Sequence, residues 1–193
     1  MMRATLFRVC WLLAAGCCLL WAQPSEAHMR DYLLNQEYYT AQRGELEVET
    51  FNDLQLHEAD NSDSYGSKHQ LELEYGVLDH LQLAGYAVWA WEQGEPVMWD
   101  EWKAELKTRL CEAGTLPVDV ALYLEYANNN GSPPDDSDTL EGKLILSKTW
   151  SRWNVVTNWV MEKEIQSANR WEHEWTAGVT YAWTPRFKTG LEW

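Results

Sequence analysis

Charged side chains recur at every second position in several segments of this 193-residue chain. The acidic members are Glu45, Glu47, Glu49, Glu72 and Glu74, and the basic members are Lys103, Lys107 and Arg109. Successive side chains of a β-strand point to opposite faces, so each run would line one face of a strand. Like charges on adjacent strands repel, and such a surface needs water, cations or basic partners. The chemistry that this spacing predicts is the attraction of cations.

The basic members have candidate partners within the chain. Asp119, Glu125 and Glu141 fall on segments that follow them and would lie on neighbouring strands. An acidic wall facing a basic one would form an ion-selective constriction. Paired charges would instead fill a small interior with salt bridges, and the sequence leaves both interpretations open.

Residue patterns typical of catalysis or metal binding do not stand out. The sequence shows no glycine-rich phosphate loop, no nucleophile elbow and no recognisable serine, histidine and acid set. The histidines lack metal-ligand spacing and the loop acids do not match a calcium loop. These residues are His57, His69, His80 and His173, with Asp60, Asp63, Asp135, Asp136 and Asp138. We predict no metal, no cofactor and no enzyme; a lipase or acyltransferase whose residues meet only in the folded chain is the alternative.

The N-terminus predicts export. Arg3 and Arg8 flank a basic start, and residues 10–21 are almost unbroken in apolar character. Within residues 25–27, Ser25 and Ala27 offer small side chains to a signal peptidase. An apolar run of about twelve residues is shorter than the about 20 that a membrane helix needs. We therefore predict a signal peptide over residues 1–27 rather than a membrane anchor.

Cysteine use after the leader is minimal. Of the four cysteines, only Cys111 follows residue 27, so the exported chain can form no internal disulfide. Cys17 offers an alternative in which the leader belongs to a lipoprotein. Against it, Leu13 lies one position too far upstream for the usual lipoprotein motif.

The charge balance argues against nucleic acid as a partner. The formal net charge is −15 at pH 7, and the leader contributes +1 through two arginines and one glutamate, so residues 28–193 carry −16. Such a chain repels nucleic acid and favours a hydrated, cation-attracting surface or lumen.

Nine short segments after residue 43 alternate apolar and polar residues with a period of two, most clearly at residues 70–75 and 171–175. Long polar connections are expected after the odd-numbered segments, the first of them over residues 57–66, and short turns after the even-numbered ones. This asymmetry and a strand length of about ten residues are typical of outer-membrane barrels. Residues 28–43 show no clean period.

From this pattern we predict an all-β fold, an antiparallel up-and-down transmembrane β-barrel over residues 44–193, with a periplasmic lead-in over residues 28–43. If the first strand rises from the periplasm, the ninth also rises and ends on the outer side. An odd strand number does not close antiparallel, so we expect the barrel to be truncated at the C-terminus, with an odd number of further alternating segments beyond Trp193. Against this, residues 187–193 resemble the assembly signal that ends many such barrels.

Aromatic residues gather near both ends of the apolar faces. The members are Tyr75, Trp89, Trp91, Trp102, Trp150, Trp153, Trp171, Tyr181 and Trp183. Aliphatic residues fill the band between them, and two aromatic girdles are typical of the two membrane interfaces. A secreted, lipocalin-like barrel that binds an apolar ligand would instead bury the apolar face. The girdles favour the membrane.

Residues 70–83 combine an alternating strand, a Tyr-Gly pair, a short turn with Asp79 and a second alternating strand. This hairpin resembles one that recurs in the outer-membrane transporter family of the phenol-degradation meta-pathway. The likeness is detailed over these residues and extends to the rest of the chain only by pattern. It implies a passive outer-membrane channel and carries over no catalytic residue.

The sequence therefore predicts a porin-like channel of a Gram-negative-type outer membrane that passes small solutes or ions. Its expected partners are outer-membrane lipid and the barrel-assembly machinery. The alternatives are the soluble ligand-binding barrel and a non-conducting structural barrel.

Overall fold

Nine β-strands make up the fold in the computed structural model, which describes residues 30–59, 62–129, 138–165 and 171–193. The strands are β1 (Leu46–Ala59), β2 (Ser62–Leu78), β3 (Leu81–Glu92), β4 (Met98–Arg109), β5 (Asp119–Asn129), β6 (Thr139–Trp150), β7 (Trp153–Glu164), β8 (Glu172–Thr184) and β9 (Phe187–Glu192). The predicted leader and the loop acids Asp60, Asp135 and Asp136 lie outside the described residues. Within the described ranges, no helix has the length and apolar character to cross a membrane.

Each strand pairs antiparallel with the next one along the chain, which gives a single sheet in the order β1 to β9. The predicted all-β, antiparallel up-and-down fold is confirmed. Two-residue turns at 79–80, 151–152 and 185–186 join three of the pairs, and turns this short keep consecutive strands side by side. Among the described strands, β1 and β9 each have one neighbour.

Two predicted connections are wrong in their extent. In place of a polar loop over residues 57–66, β1 continues to Ala59 and β2 starts at Ser62, with these two residues opposite each other. Backbone pairing does not require an apolar face, so polar composition alone did not mark the end of the strand. The connection after β4 covers residues 110–118 and is longer than the one after β3, so long and short connections do not alternate strictly.

The two faces of the sheet are reversed relative to those of a water-soluble protein. On one face charged side chains are buried: Glu72 is 0% exposed, Glu105 3% and Lys107 4%. On the other face large apolar side chains are exposed, with Leu122 at 42% and Leu124 at 49%. We call these the inner face and the outer face. Charged groups are almost never fully buried unless they are paired, so the inner face must satisfy its charges within the molecule.

Residues 30–42, which we call the inner segment, lie against the inner face without forming a strand. Arg30 reaches β1 through Glu49, while the backbone amide of Leu33 donates to Glu192 on β9. Three residues of extended chain span about 10 Å, whereas nine flat strands at about 4.8 Å spacing would span about 38 Å. The sheet is therefore curled, so that its first and last strands approach the same short segment. This curvature is compatible with a barrel.

A small apolar cluster lies between the inner segment and the sheet. Its members are Tyr32, Ala121, Tyr123, Ile145 and Val156, with Tyr38 packed against them. Two of these six side chains come from the inner segment, which links it to β5, β6 and β7. The sequence predicted no strand in this region, but its lack of periodicity gave no sign that the segment packs inside the sheet.

Candidate functional site

The predicted acidic residues come together on β1 and β2. Glu47 lies opposite Glu74, and Glu49 lies opposite Glu72, with Glu45 immediately before β1. Directly opposed residues of an antiparallel pair have Cβ atoms about 4.5–5.5 Å apart, where like charges repel. Burial removes the water that would screen this repulsion. We call these five glutamates the acidic ladder. The acidic ladder therefore needs positive charge or hydrogen-bond donors from elsewhere in the molecule.

Arg30 of the inner segment supplies the positive charge. Its Nε lies 2.7 Å from Glu49 Oε2, and its Nη2 lies 3.2 Å from Glu72 Oε2 and 3.5 Å from Glu74 Oε1. The guanidinium carbon lies 4.9 Å from the centre of the Phe51 ring, within the range of a cation–π contact. Burial by itself would lower the pKa of Arg30, but the three carboxylates outweigh it and raise the pKa above its usual value. We call Glu49, Phe51, Glu72 and Glu74 the acidic pocket.

Tyr39 and Gln42 satisfy the remaining acidic residues. The Tyr39 hydroxyl donates to Glu45 Oε2 at 3.3 Å and to Glu47 Oε1 at 3.4 Å, and the Gln42 backbone amide donates to Glu45 Oε2 at 2.9 Å. Every member of the predicted acidic set therefore contacts the inner segment. The acidic wall that the sequence predicts for a lumen is, in the structure, the docking surface of this segment.

The predicted basic residues divide among three places on β4. Lys103 Nζ lies 3.6 Å from Glu101 Oε1 and 3.5 Å from Glu125 Oε1. Lys107 is buried beside the acidic ladder. Arg109 Nε donates to Thr40 Oγ1 at 2.9 Å, which fixes the C-terminal part of the inner segment. One basic residue is thus paired across strands, one lies at the ladder and one anchors the segment.

The predicted pairing of these bases with three acids is right for one acid and wrong for two. Glu125 pairs with Lys103, as expected. Asp119 instead pairs with Lys148 at 3.9 Å, and Glu141 pairs with Lys143 at 2.9 Å. The reason is that β6 brings lysines of its own to these two carboxylates.

The inner segment is held to β9 by Glu192. The Glu192 carboxylate accepts hydrogen bonds from the backbone amides of Leu33, Leu34 and Asn35 at 2.8, 2.8 and 2.9 Å, and from Asn35 Nδ2 at 3.0 Å. Successive backbone amides that converge on one anion form a strong, charge-assisted site. This contact joins the first described residues of the chain to the last strand.

Tyr32 fits against a glycine of β8. A Cβ atom at Gly178 would lie 2.5 Å from Tyr32 Cε1, so a larger residue there would collide with the ring. The Tyr32 hydroxyl donates to Asn154 Oδ1 at 2.6 Å, and burial raises the pKa of Tyr32 to about 12. Glycine at 178 therefore provides the space that the inner segment occupies.

Two cavities lie on either side of the inner segment. One, of about 460 Å³, lies toward the two-residue turns and is lined by Tyr32, Tyr38 and Asn154 among others. The other, of about 380 Å³, lies toward the opposite ends of the strands and is lined by Arg30, Glu101 and other charged or polar side chains. The inner segment forms part of the wall of both cavities and separates them.

The predicted aromatic girdle residues lie at the outer surface. Tyr75, Trp102, Trp150, Trp153, Trp171 and Trp183 are exposed, and Trp89, Trp91 and Tyr181 are partly exposed. The Trp153 and Tyr181 rings are 4.7 Å apart, as are those of Tyr181 and Trp183, so the aromatic residues form a continuous group across β7 and β8. Trp99, which is half exposed, also belongs to this surface. The sequence analysis did not include it among the girdle residues.

Sequence reasoning missed the inner segment as part of the site. Arg30, Tyr32 and Asn35 have no period and no motif. The nearest carboxylate partner of Arg30 is Glu49 on β1, and the partners of the Tyr32 hydroxyl and the Asn35 side chain lie on β7 and β9. The available signal was indirect: a set of opposed glutamates requires a cation. Within the described ranges, no group of three or more histidine, cysteine or acidic side chains is arranged to hold a metal ion.

No family model, curated protein or solved structure matches the chain. The candidate site therefore rests on the geometry of this molecule.

Proposed function

We propose that this chain is a porin-like channel of a Gram-negative-type outer membrane for the passive passage of small solutes. The observation that carries the proposal is the reversal of the faces, with charge buried on the inner face and apolar side chains exposed on the outer face. Strands of outer-membrane barrels have this apolar-out, polar-in arrangement. The aromatic residues near the strand ends support it, because such residues are enriched at membrane interfaces.

The burial pattern speaks against the soluble barrel with an apolar ligand. A lipocalin-like barrel would bury Leu122 and Leu124 and expose the glutamates, which is the opposite of what is found. An exposed apolar surface of this extent has no role in a monomer dissolved in water. Lipid is the partner that would cover it.

The proposed channel should prefer cations. Outside the acidic ladder, the cavity of about 380 Å³ is lined by four glutamates and two lysines. Fixed charge in a narrow wall of low dielectric constant concentrates the potential and attracts counter-ions. The acidic ladder does not contribute freely, because the inner segment covers it.

Localisation and conductance test the proposal. We expect the protein in outer-membrane fractions, migration on a detergent gel that changes on heating, and ion conductance in a planar bilayer. Recovery as a soluble periplasmic monomer would overturn the membrane location. A membrane protein without conductance would favour the non-conducting structural barrel.

Selectivity gives a residue-level prediction. Glu141 and Glu162 lie opposite each other on β6 and β7 and both line the 380 Å³ cavity. We expect the double variant Glu141→Gln/Glu162→Gln to shift the reversal potential in a potassium chloride gradient toward lower cation preference. The effect should be larger at about 0.01 M salt, where the Debye length is about 30 Å. Glu95→Gln removes an exposed loop charge as a control and should leave the reversal potential unchanged; equal effects of both changes would contradict the prediction.

A further inference from the structure

The inner segment has the features of a removable plug. Its residues form no strand, so it lacks the ladder of backbone hydrogen bonds that fixes β1 to β9. Apart from Tyr32, Tyr38 and the buried Ala41, the contacts described for it are polar or charged, and it lies between the two cavities. Elements with few apolar contacts open at a lower free energy than the strands that surround them.

The acidic pocket is the place where one side chain, Arg30, makes the charged contacts between the plug and strands β1 and β2. Glu72 and Glu74 are 0% and 4% exposed, so they are held almost without water. Arg30 is the cation that touches both of them and Glu49. If Arg30 leaves, buried carboxylates lose their counter-ion, and the cost is high unless another cation enters.

The geometry of the pocket favours one class of cation. A guanidinium group is planar, presents several N–H donors in a fixed plane and stacks on aromatic rings, whereas an ammonium group is a compact, strongly hydrated point charge. The acidic pocket suits a guanidinium group, because its carboxylates come from two strands and the Phe51 ring offers an aromatic face. Arg30 occupies the pocket as a tethered ligand would.

We propose that the inner segment is a plug latched by Arg30 in the acidic pocket, and that a solute carrying a guanidinium group releases it by competing for that pocket. The latch itself is a property of the fold. Release of the plug would also join the two cavities into a path for solutes. This second step rests on the proposed channel function.

A thiol placed under the plug would report its release. Thr180 is 5% exposed on the inner face of β8 and contacts Tyr32. In a Cys111→Ser background, Thr180→Cys should react slowly with a water-soluble maleimide, with the modified peptide measured by mass spectrometry. Millimolar ethylguanidinium should accelerate the reaction about tenfold or more, while equal ethylurea or potassium chloride should not.

The latch is tested by a matched pair of charge changes. Arg30→Gln should make the thiol react about tenfold faster without any added solute, because the carboxylates of the pocket lose their cation. Arg43→Gln removes the same charge from an exposed position next to the plug and should behave like the parent protein. Equal rates for the two variants, or equal effects of ethylguanidinium and ethylurea on the parent, would overturn the proposal. The second comparison needs no change at Arg30 and holds even if Arg30→Gln does not fold.

Conductance separates this inference from the channel function. If Arg30→Gln exposes the thiol and also opens more often in a planar bilayer, both stand. If the thiol is exposed while neither protein conducts, the latch stands and the proposed channel function fails. If the parent conducts as well as Arg30→Gln and both protect the thiol equally, the latch fails and the channel stands.

Discussion

Replacing Leu122 with arginine should destabilise the protein in a lipid bilayer by about 2 to 4 kcal/mol, the cost of a charged side chain at the middle of the lipid-facing surface of a barrel. Leu122 lies within β5 on the outer face, is 42% exposed and pairs with Leu144 on β6. The free energy of unfolding, measured by urea titration in lipid vesicles, gives the value directly.

A loop position provides the control for this change. Val97, which is exposed in the connection between β3 and β4, should accept arginine with little loss of stability. If Leu122→Arg is as harmless as Val97→Arg, the outer face meets water and the membrane proposal is wrong. If Leu122→Arg instead unfolded a soluble form of the protein, Leu122 would belong to the core of a soluble barrel, as the ligand-binding alternative requires.

Gly178→Val should destabilise the native fold by about 1 to 3 kcal/mol, the usual cost of overpacking a filled space. A Cβ atom at this position would meet Tyr32 Cε1 and Cδ1 at 2.5 and 2.6 Å and Asn35 Nδ2 at 3.3 Å. The Tyr32 ring would have to leave, and its hydrogen bond to Asn154 with it. Urea titration measures the loss, and faster proteolysis after Arg30 would show that the inner segment is displaced.

Gly142→Val separates this collision from the general effect of losing a strand glycine. Gly142 lies within β6, and a Cβ atom there would meet only the Tyr123 carbonyl oxygen, at 3.9 Å. We expect it to cost far less than Gly178→Val. Equal costs would mean that Tyr32 does not depend on the space at position 178.

The alternating pattern predicted the faces of the strands correctly because it is a local property. In residues 70–75 the period of two sets Leu71, Leu73 and Tyr75 on the outer face, and the register of β1 against β2 then brings Glu72 opposite Glu49. One face of each strand is distinctive, so register is strongly specified. The same locality explains why the ends of β1 and β2 were misjudged, since polar residues beyond the apolar band give no sign of continued pairing.

The packing of the inner segment could not be predicted from the sequence, because its contacts are not local. Arg30, Tyr32 and Asn35 are held by side chains on β2, β7 and β9, and no local pattern encodes partners so distant. The glutamates of the acidic ladder were predicted to line one surface, and the structure places them there. Their cation was not predicted, because it comes from a region without secondary structure.

The contact between Leu33 and Glu192 spans 159 positions of the chain, whereas every strand pairs with its immediate neighbour. Hairpins of neighbouring strands form without closing a long loop, while the entropy cost of loop closure grows with the length of chain enclosed. Residues 33–35 of the inner segment must therefore wait for β9 before they can dock on Glu192. Until β9 is in place, the amides of residues 33–35 lack the carboxylate that collects them, and the segment stays open to proteases. Docking of residues 33–35 would thus mark the arrival of β9, and a sheet that lacks β9 would be distinguished from one that contains it by a segment that proteases can still cut.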